Sequence, residues 1–308
     1  MQRYILGRLV QAVVVIWGVT VIVFMLGRLG GDPAMLYAPT DATERDIEIV
    51  REDLGLDKPL VTQYVIFLGK ALQGDMGYSF KWREPSLSLV LGRMPATIQL
   101  ALAAMFITAI ISLPIGVLSA VKRGSILDTF GRLFALLGQS MPTFWFGIML
   151  MLIFAVIIPI FPTSGKGDLS NLVLPALTLG WFPVAAMMRL TRSGMLDVLD
   201  SEYIKMARAK GVPENMVVFK HALKNASIPV VTLFSLQILH LLSGAVIVET
   251  IFGWPGLGRL VIQAIRGGDF PVVQAGVFVA SFTLVLINLI VDILYVYLDP
   301  RIRLGSSE

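Results

Sequence analysis

The 308-residue sequence contains no cysteine, which removes disulfides, thiolate metal sites and cysteine nucleophiles from consideration. Histidine is almost as scarce, with His221 and His240 alone. Neither a His-Glu-x-x-His zinc helix nor a Gly-x-Ser-x-Gly elbow occurs, so two common hydrolase signatures are missing. No Gly-x-x-x-x-Gly-Lys-Ser/Thr phosphate loop is present either, and ATP hydrolysis is not expected of this chain. Charge is sparse. Only 15% of residues are Asp, Glu, Lys or Arg, where a soluble domain carries about a quarter.

Long apolar runs take the place of charge: 56% of residues are hydrophobic and the mean hydropathy is +0.79. Such a composition belongs in lipid. The net charge of +4 does not point to nucleic acid, because the basic residues sit at the ends of apolar segments instead of forming a stripe. Six segments approach the roughly 20 apolar residues that a bilayer crossing needs. They run approximately over 9–28, 96–120, 131–160, 172–192, 229–250 and 273–298. The first follows a basic start with Arg3 and Arg8. It is longer than a signal-peptide core of about 7–15 residues and lacks a small-x-small cleavage site, so an uncleaved helix is expected. Pro142 predicts a kink or break in the third segment, and Pro175 and Pro183 blur the limits of the fourth.

Lysine and arginine orient these spans. With the N-terminus inside, Arg3, Arg8, Lys122, Arg123, Arg132, Arg189, Arg192, Lys205, Arg208, Lys210, Lys220, Lys224, Arg301 and Arg303 fall on the cytoplasmic side. The two short outer loops receive only Lys166, Arg259 and Arg266, so both termini are expected in the cytoplasm. The expected fold class is an all-α, multi-pass integral membrane protein with six transmembrane helices. Its parts are an N-terminal helix at 1–28, an extracytoplasmic segment at 29–95, a five-helix core at 96–303 with a cytoplasmic loop at 200–229, and a tail at 304–308.

That loop is the most informative stretch. Asp200 or Ser201 can cap a helix that opens with Glu202 and closes with Lys205, Arg208 and Lys210, acid first and base last as a helix dipole prefers. Gly211 offers a left-handed residue to end it, and Pro213 suits the first turn of a second helix. Tyr203, Ile204 and Ala207 are expected on one face, and Ala207, Ala209 and Gly211 leave room for another surface to approach. A plain solvated loop is the competing reading. The order Ala207-Arg208-Ala209-Lys210-Gly211, then His221-Ala222-Leu223 and Asn225-Ala226, resembles the "EAA" loop of ABC-importer permeases of the oligopeptide, dipeptide, nickel and glutathione branch. Lys205-Met206 stand where the name-giving Glu-Ala would be, and Lys224 where many members have proline.

Other stretches share the resemblance: Gly31-Asp-Pro-Ala34, Leu54–Leu60, Gly74-Asp75 with Gly77, Val248–Arg259, and Leu298–Arg303. Read from its residues alone, Val248–Arg259 is a short re-entrant or interfacial turn with Trp254 at the headgroup level. The resemblance implies a type I importer permease. It would pair with a homologous second permease, two cytoplasmic ATPases that bind ATP and magnesium, and an extracytoplasmic substrate-binding protein, in a bacterial or archaeal inner membrane. It assigns ATPase coupling to Glu202, Tyr203, Ala207, Arg208, Ala209, Lys210, Gly211, His221 and Leu223, and no cofactor, metal or catalytic residue to this chain. Short peptides are the expected cargo, with glutathione and a nickel chelate as alternatives. From a different class, an ATP-independent channel or secondary transporter fits the composition too.

Polar residues within the spans are either interhelical hydrogen-bond partners or the lining of a solute path. The path candidates are Gln139, Ser140, Gln237, His240 and Asn288. Asp292 is expected near the cytoplasmic mouth, solvated or paired with an arginine. Gly267-Gly268-Asp269 has a faint likeness to intramembrane aspartyl proteases but lacks a partner aspartate in a matching helix.

Overall fold

The computed structural model describes residues 2–29, 34–35, 42–53 and 55–298, and among them the regular structure is helical apart from one bridge between Tyr78 and Pro85. The chain runs through α1 (Gln2–Leu29), α2 (Glu44–Asp53), α3 (Leu60–Leu72), α4 (Ser86–Val121), α5 (Ile126–Ser140) and α6 (Thr143–Met151). It continues through α7 (Ser170–Leu199), α8 (Glu202–Ala209), α9 (Leu223–Ile251), α10 (Leu257–Arg266) and α11 (Phe270–Leu298). Among the described residues five helices are long and apolar enough to cross a membrane, or six if α5 and α6 form one bent span. Parts of the Gly31–Ala34 and Leu54–Leu60 stretches, the Leu298–Arg303 ending and the 304–308 tail lie outside the described residues.

Proline places the break in the third segment. A residue before proline disfavours the helical region, and Met141 accordingly adopts ψ 129, with Pro142 extended at the start of α6. The two pieces meet at 110°. A π-helical turn, Leu152–Ile157, extends α6. Pro175 and Pro183 leave α7 intact from Ser170 to Leu199. The second span starts at Ser86 rather than 96, continuing through Pro95, so the polar segment at 29–95 gives its last residues to a helix. It also holds α2, closed by a capping box in which Thr43 Oγ1 accepts from the Asp46 N–H and Asp46 Oδ2 accepts from the Thr43 N–H.

The chain divides into two compact units, residues 1–96 with 255–308 and residues 97–254, with α4 running from one into the other. In the first, α1 pairs with α11. Gln274 Nε2 on α11 donates to the Val23 carbonyl at 2.8 Å. Gly27 permits this, since a Cβ there would sit 2.2 Å from the same nitrogen. Helix α3 packs on α1 through Phe24 against Tyr64 and Phe67, and Arg28 donates to Gln63 Oε1. Helix α10 buries Leu257, Leu260 and Ala264 against Val272, Ala275 and Val279 of α11. Asp269, at the start of α11, accepts from Ser79 Oγ and the Lys81 N–H, which ties the 79–85 turn to that helix.

The second unit is built around α7, the most enclosed of the candidate spans. Three glycines from three helices let their backbones approach it. A Cβ on Gly116 of α4 would lie 2.7 Å from Thr191, on Gly138 of α5 2.5 Å from Ala185, and on Gly147 of α6 2.7 Å from Thr178. Small residues at such crossings allow the close van der Waals contact that holds helices together in lipid, where apolar burial gives no net drive. Trp254, expected at the headgroup level, is 1% exposed, so the chain encloses its ring and the ring does not face outward. Its turn leads into α10, a helix that the glycine-rich sequence did not announce.

Replacing Gly116 by valine should destabilise the fold by about 1–3 kcal/mol through overpacking. Thermal unfolding of the detergent-solubilised protein checks this, with Gly92→Val, where a Cβ meets open space, as the unaffected control.

Candidate functional site

The segment between α7 and α9 folds as two short arms joined by a sharp bend. Ser201 takes the N-cap position of α8 with φ −71 and ψ 151, but its hydroxyl donates to the Val198 carbonyl and does not cap. At the other end Gly211 N–H donates to the Arg208 carbonyl and Val212 N–H to the Ala207 carbonyl, at 2.9 and 3.2 Å. This pair of bonds is a Schellman closure, which needs a left-handed residue, and Gly211 has φ +76. A Cβ on Gly211 would touch nothing within 4 Å, so the backbone and not crowding requires glycine. Pro213 then starts the second arm, a helical turn at Glu214–Met216 followed by a π-helical turn at Val217–Ala222 that runs into α9.

Three contacts lock the arms together. Arg208 donates to both carboxylate oxygens of Glu214, at 3.1 and 2.7 Å. Asn225 Nδ2 donates to Tyr203 Oη at 2.7 Å. Beneath them Ile204, with no exposed surface, packs with Val217, Val218, Ala222 and Ala226 from the second arm and α9 and with Met195 and Leu199 of α7. The π turn contributes here: its wider winding sets Val217, Val218 and Ala222 all into that core. Val117 and Ala120 of α4 close it. The bent pair is therefore fused to three long helices.

The expected face separates on inspection. Ile204 is buried and Ala207 half-buried, while Tyr203 is exposed at the rim. Glu202, Arg208, Ala209, Lys210 and Gly211 are exposed, and His221 and Leu223 are half-buried on the second arm. Two apolar side chains that the sequence reading left out stand outward: Met206 and Phe219, each 60% exposed. The signal for Met206 lay in its position, three residues from Tyr203 and two from Ile204, opposite the buried stripe.

The residues proposed for a solute path have different surroundings. Gln139 Oε1 accepts from Arg189, and Ser140 Oγ donates back to the Leu136 carbonyl. Gln237 is buried with its Oε1 unpartnered, whereas His240 is exposed and receives the Ser243 hydroxyl on its carbonyl. Asn288 belongs to the other unit, where it lines a cavity with Gln11, Arg8 and Asp292. Arg8 and Asp292 form an ion pair at 3.2 Å. Two buried carboxylates were missed. Glu249 of α9 accepts from Thr97 Oγ1. Asp128, in the first turn of α5, accepts both Nε and Nη2 of Arg192 and the Gly124 N–H. Ser125 with Asp128 three residues on was the legible sign of the second. Among the described residues no three His, Cys, Asp or Glu side chains gather as a metal cage requires.

A helical, multi-span membrane protein with this arrangement has the fold of an ABC-transporter permease. Its fold matches the crystal structure of an amino acid ABC transporter with histidines at a TM-score of 0.53 and 15% identity, covering 67% of this chain and 92% of that one. The chain belongs to the family of inner membrane components of binding-protein-dependent transport systems, which residues 112–304 match, while residues 1–101 match that family's N-terminal region. It is 40% identical to the dipeptide transport system permease protein DppB of Escherichia coli K12 across 98% of this chain and 99% of that protein. It is 43% identical to the glutathione transport system permease protein GsiC of Pectobacterium atrosepticum over the same shares. These relatives are permease subunits.

Glu214 lies below its ordinary value of 4.5, first because Arg208 hydrogen-bonds its carboxylate. A depressed carboxylate adds stability above its ordinary value and loses it as pH falls through the lowered one. The pair is half exposed and screened, so it is worth roughly a few tenths of a kcal/mol. The stability gap between wild type and Glu214→Gln should be present at neutral pH and close as the pH is taken below the ordinary carboxylate value, as followed by limited proteolysis at the bend.

Proposed function

We propose that this chain is one transmembrane subunit of an ATP-driven importer of short peptides. It forms the translocation path with a homologous permease in the inner membrane of a bacterial or archaeal cell. The observation that carries the proposal is the bent arm pair, closed at Gly211 and fused by the Ile204 core to α4, α7 and α9. A loop that only linked two spans would need none of these locks. Two cytoplasmic ATPase subunits hold ATP and magnesium and receive the exposed face of Glu202, Tyr203, Met206, Arg208, Ala209, Lys210 and Phe219. His221 and Leu223 brace the second arm.

The mechanism follows from stiffness. When the ATPases close, the arms move as one body because the Schellman bonds, the Arg208–Glu214 fork and the Tyr203–Asn225 contact leave no free joint. The displacement passes through Met195 and Leu199 into α7 and through Ala222 and Ala226 into α9. Those spans switch the path from inward-facing to outward-facing, and an extracytoplasmic binding protein delivers the solute. Gln139, Ser140, Gln237, His240 and Asn288 stay as path candidates. The names of DppB and GsiC support a dipeptide or glutathione cargo; nickel chelates are the alternative within the same family.

Co-purification from the native host should yield a second permease and Walker-motif ATPases, with ATPase activity stimulated by a peptide-loaded binding protein. Gly211→Asp and Met206→Glu should each leave membrane insertion and yield unchanged. Each should cut coupled uptake about tenfold or more, as loss of a central interface anchor does. A chain that purifies alone and passes solute in liposomes without ATP overturns the proposal in favour of a channel or secondary transporter.

A further inference from the structure

Three guanidinium groups meet around one cavity of about 280 Å³ in the unit of residues 97–254. Arg132 comes from α5, Arg189 and Arg192 from α7, and Gln139 and Ser119 add polar edges. Like charges repel, so a cluster of this kind favours anions, and among the described residues only Asp128 supplies one. Asp128 accepts from Arg192 at 2.6 and 3.0 Å and lies 3.8 Å from Arg132. Among the described residues Arg189 has no carboxylate partner, and it donates to the neutral Gln139 Oε1 at 2.9 Å. Three cations less one carboxylate leave the group at +2.

The surroundings sharpen the imbalance. Leu136 and Met188 line the same cavity, and Phe130, Leu133 and Leu137 expose apolar side chains elsewhere on α5. Arg132 and Arg189 are exposed and Arg192 is half-buried, so an anion can reach these guanidiniums from outside the chain. The Asp128 ion pair explains why Arg192 is there, and it fixes that guanidinium as a wall of the cavity. It does not explain Arg189. A guanidinium presents paired N–H donors matched to two oxygens of a carboxylate or phosphate.

We infer that this cavity is a binding site for an oxyanion, held centrally by Arg189 with Gln139 beside it and flanked by Arg132 and Arg192. Two sources present that chemistry in a membrane transporter: the terminal carboxylate of a carried peptide and the phosphate of an anionic phospholipid. The peptide source rests on the importer reading above; the lipid source does not.

The test uses the whole transporter, purified with its partner subunits and reconstituted in phosphatidylcholine with or without phosphatidylglycerol. Arg189→Gln removes the central cation. Gln139→Glu fills the site with a fixed carboxylate and keeps the fold through a new ion pair, so it decides the matter if Arg189→Gln fails to assemble. Native mass spectrometry reads phosphatidylglycerol retention, and alanyl-alanine uptake at saturating binding protein reads the substrate. Loss of a charge-assisted contact predicts a roughly tenfold drop in one of the two readouts for both variants, with partial recovery in Arg189→Lys. A drop in lipid retention names the phospholipid, and a drop in uptake from phosphatidylcholine alone names the peptide carboxylate. If wild type takes up no peptide, the importer reading fails, and lipid retention still decides the site. Unchanged lipid retention and unchanged uptake in an assembled variant overturn the inference.

Discussion

The close approach of other helices to α7 is the constraint on which the 97–254 unit depends. In lipid, apolar burial supplies no net drive for one helix to meet another, so contact distance decides what packs. Gly116, Gly138 and Gly147 remove the Cβ atoms that would otherwise hold α4, α5 and α6 away. Gly194 of α7 itself lets the helix sit against Ala226 of α9, where a Cβ would lie 3.3 Å from the Ala226 carbonyl oxygen. The core that ends in Ile204 begins at that crossing, since Met195, Leu199 and Ala226 belong to it. The bent arms are thus an extension of the helix packing.

Polar chemistry is then placed at the ends and edges of that packing. Asp128 binds the start of α5 to Arg192 of α7. Arg208 and Glu214 close the bend, and Asn225 holds Tyr203 across it. Asp128 is partnered because it is buried, and the exposed loop pairs hold the bend. The exposed Arg189 differs in having, among the described residues, an amide and no carboxylate as its partner. In the other unit Arg8 with Asp292 and Asp269 with Ser79 do the same work for α1, α11 and the 79–85 turn.

Much of this was readable in the sequence because single residues dictated backbone. Gly211 between a basic helix end and Pro213 announced the bend, and Pro142 announced the break in the third span. Apolar length and the lysine and arginine count supplied the helices. What escaped was set by tertiary contact. Ile204 and Tyr203 are adjacent, and no pattern this short could say which would be buried. The π turn at Val217–Ala222 adds a residue to the winding, so a helical period carried through it misplaces Phe219. Trp254 looked like an interfacial anchor on residue type alone, yet the chain folds over it. Glu249 was passed over inside an apolar run, where a lone carboxylate is itself a signal.

The central claim is that the two arms move as one rigid body, and the absence of cysteine makes it directly measurable. Spin labels on Met206→Cys and Phe219→Cys would report the inter-arm distance by pulsed electron resonance. On trapping the assembled transporter with ATP, the account predicts an unchanged 206–219 distance. A changed 206–219 distance would contradict it, because the bend would then be a hinge and not a lever.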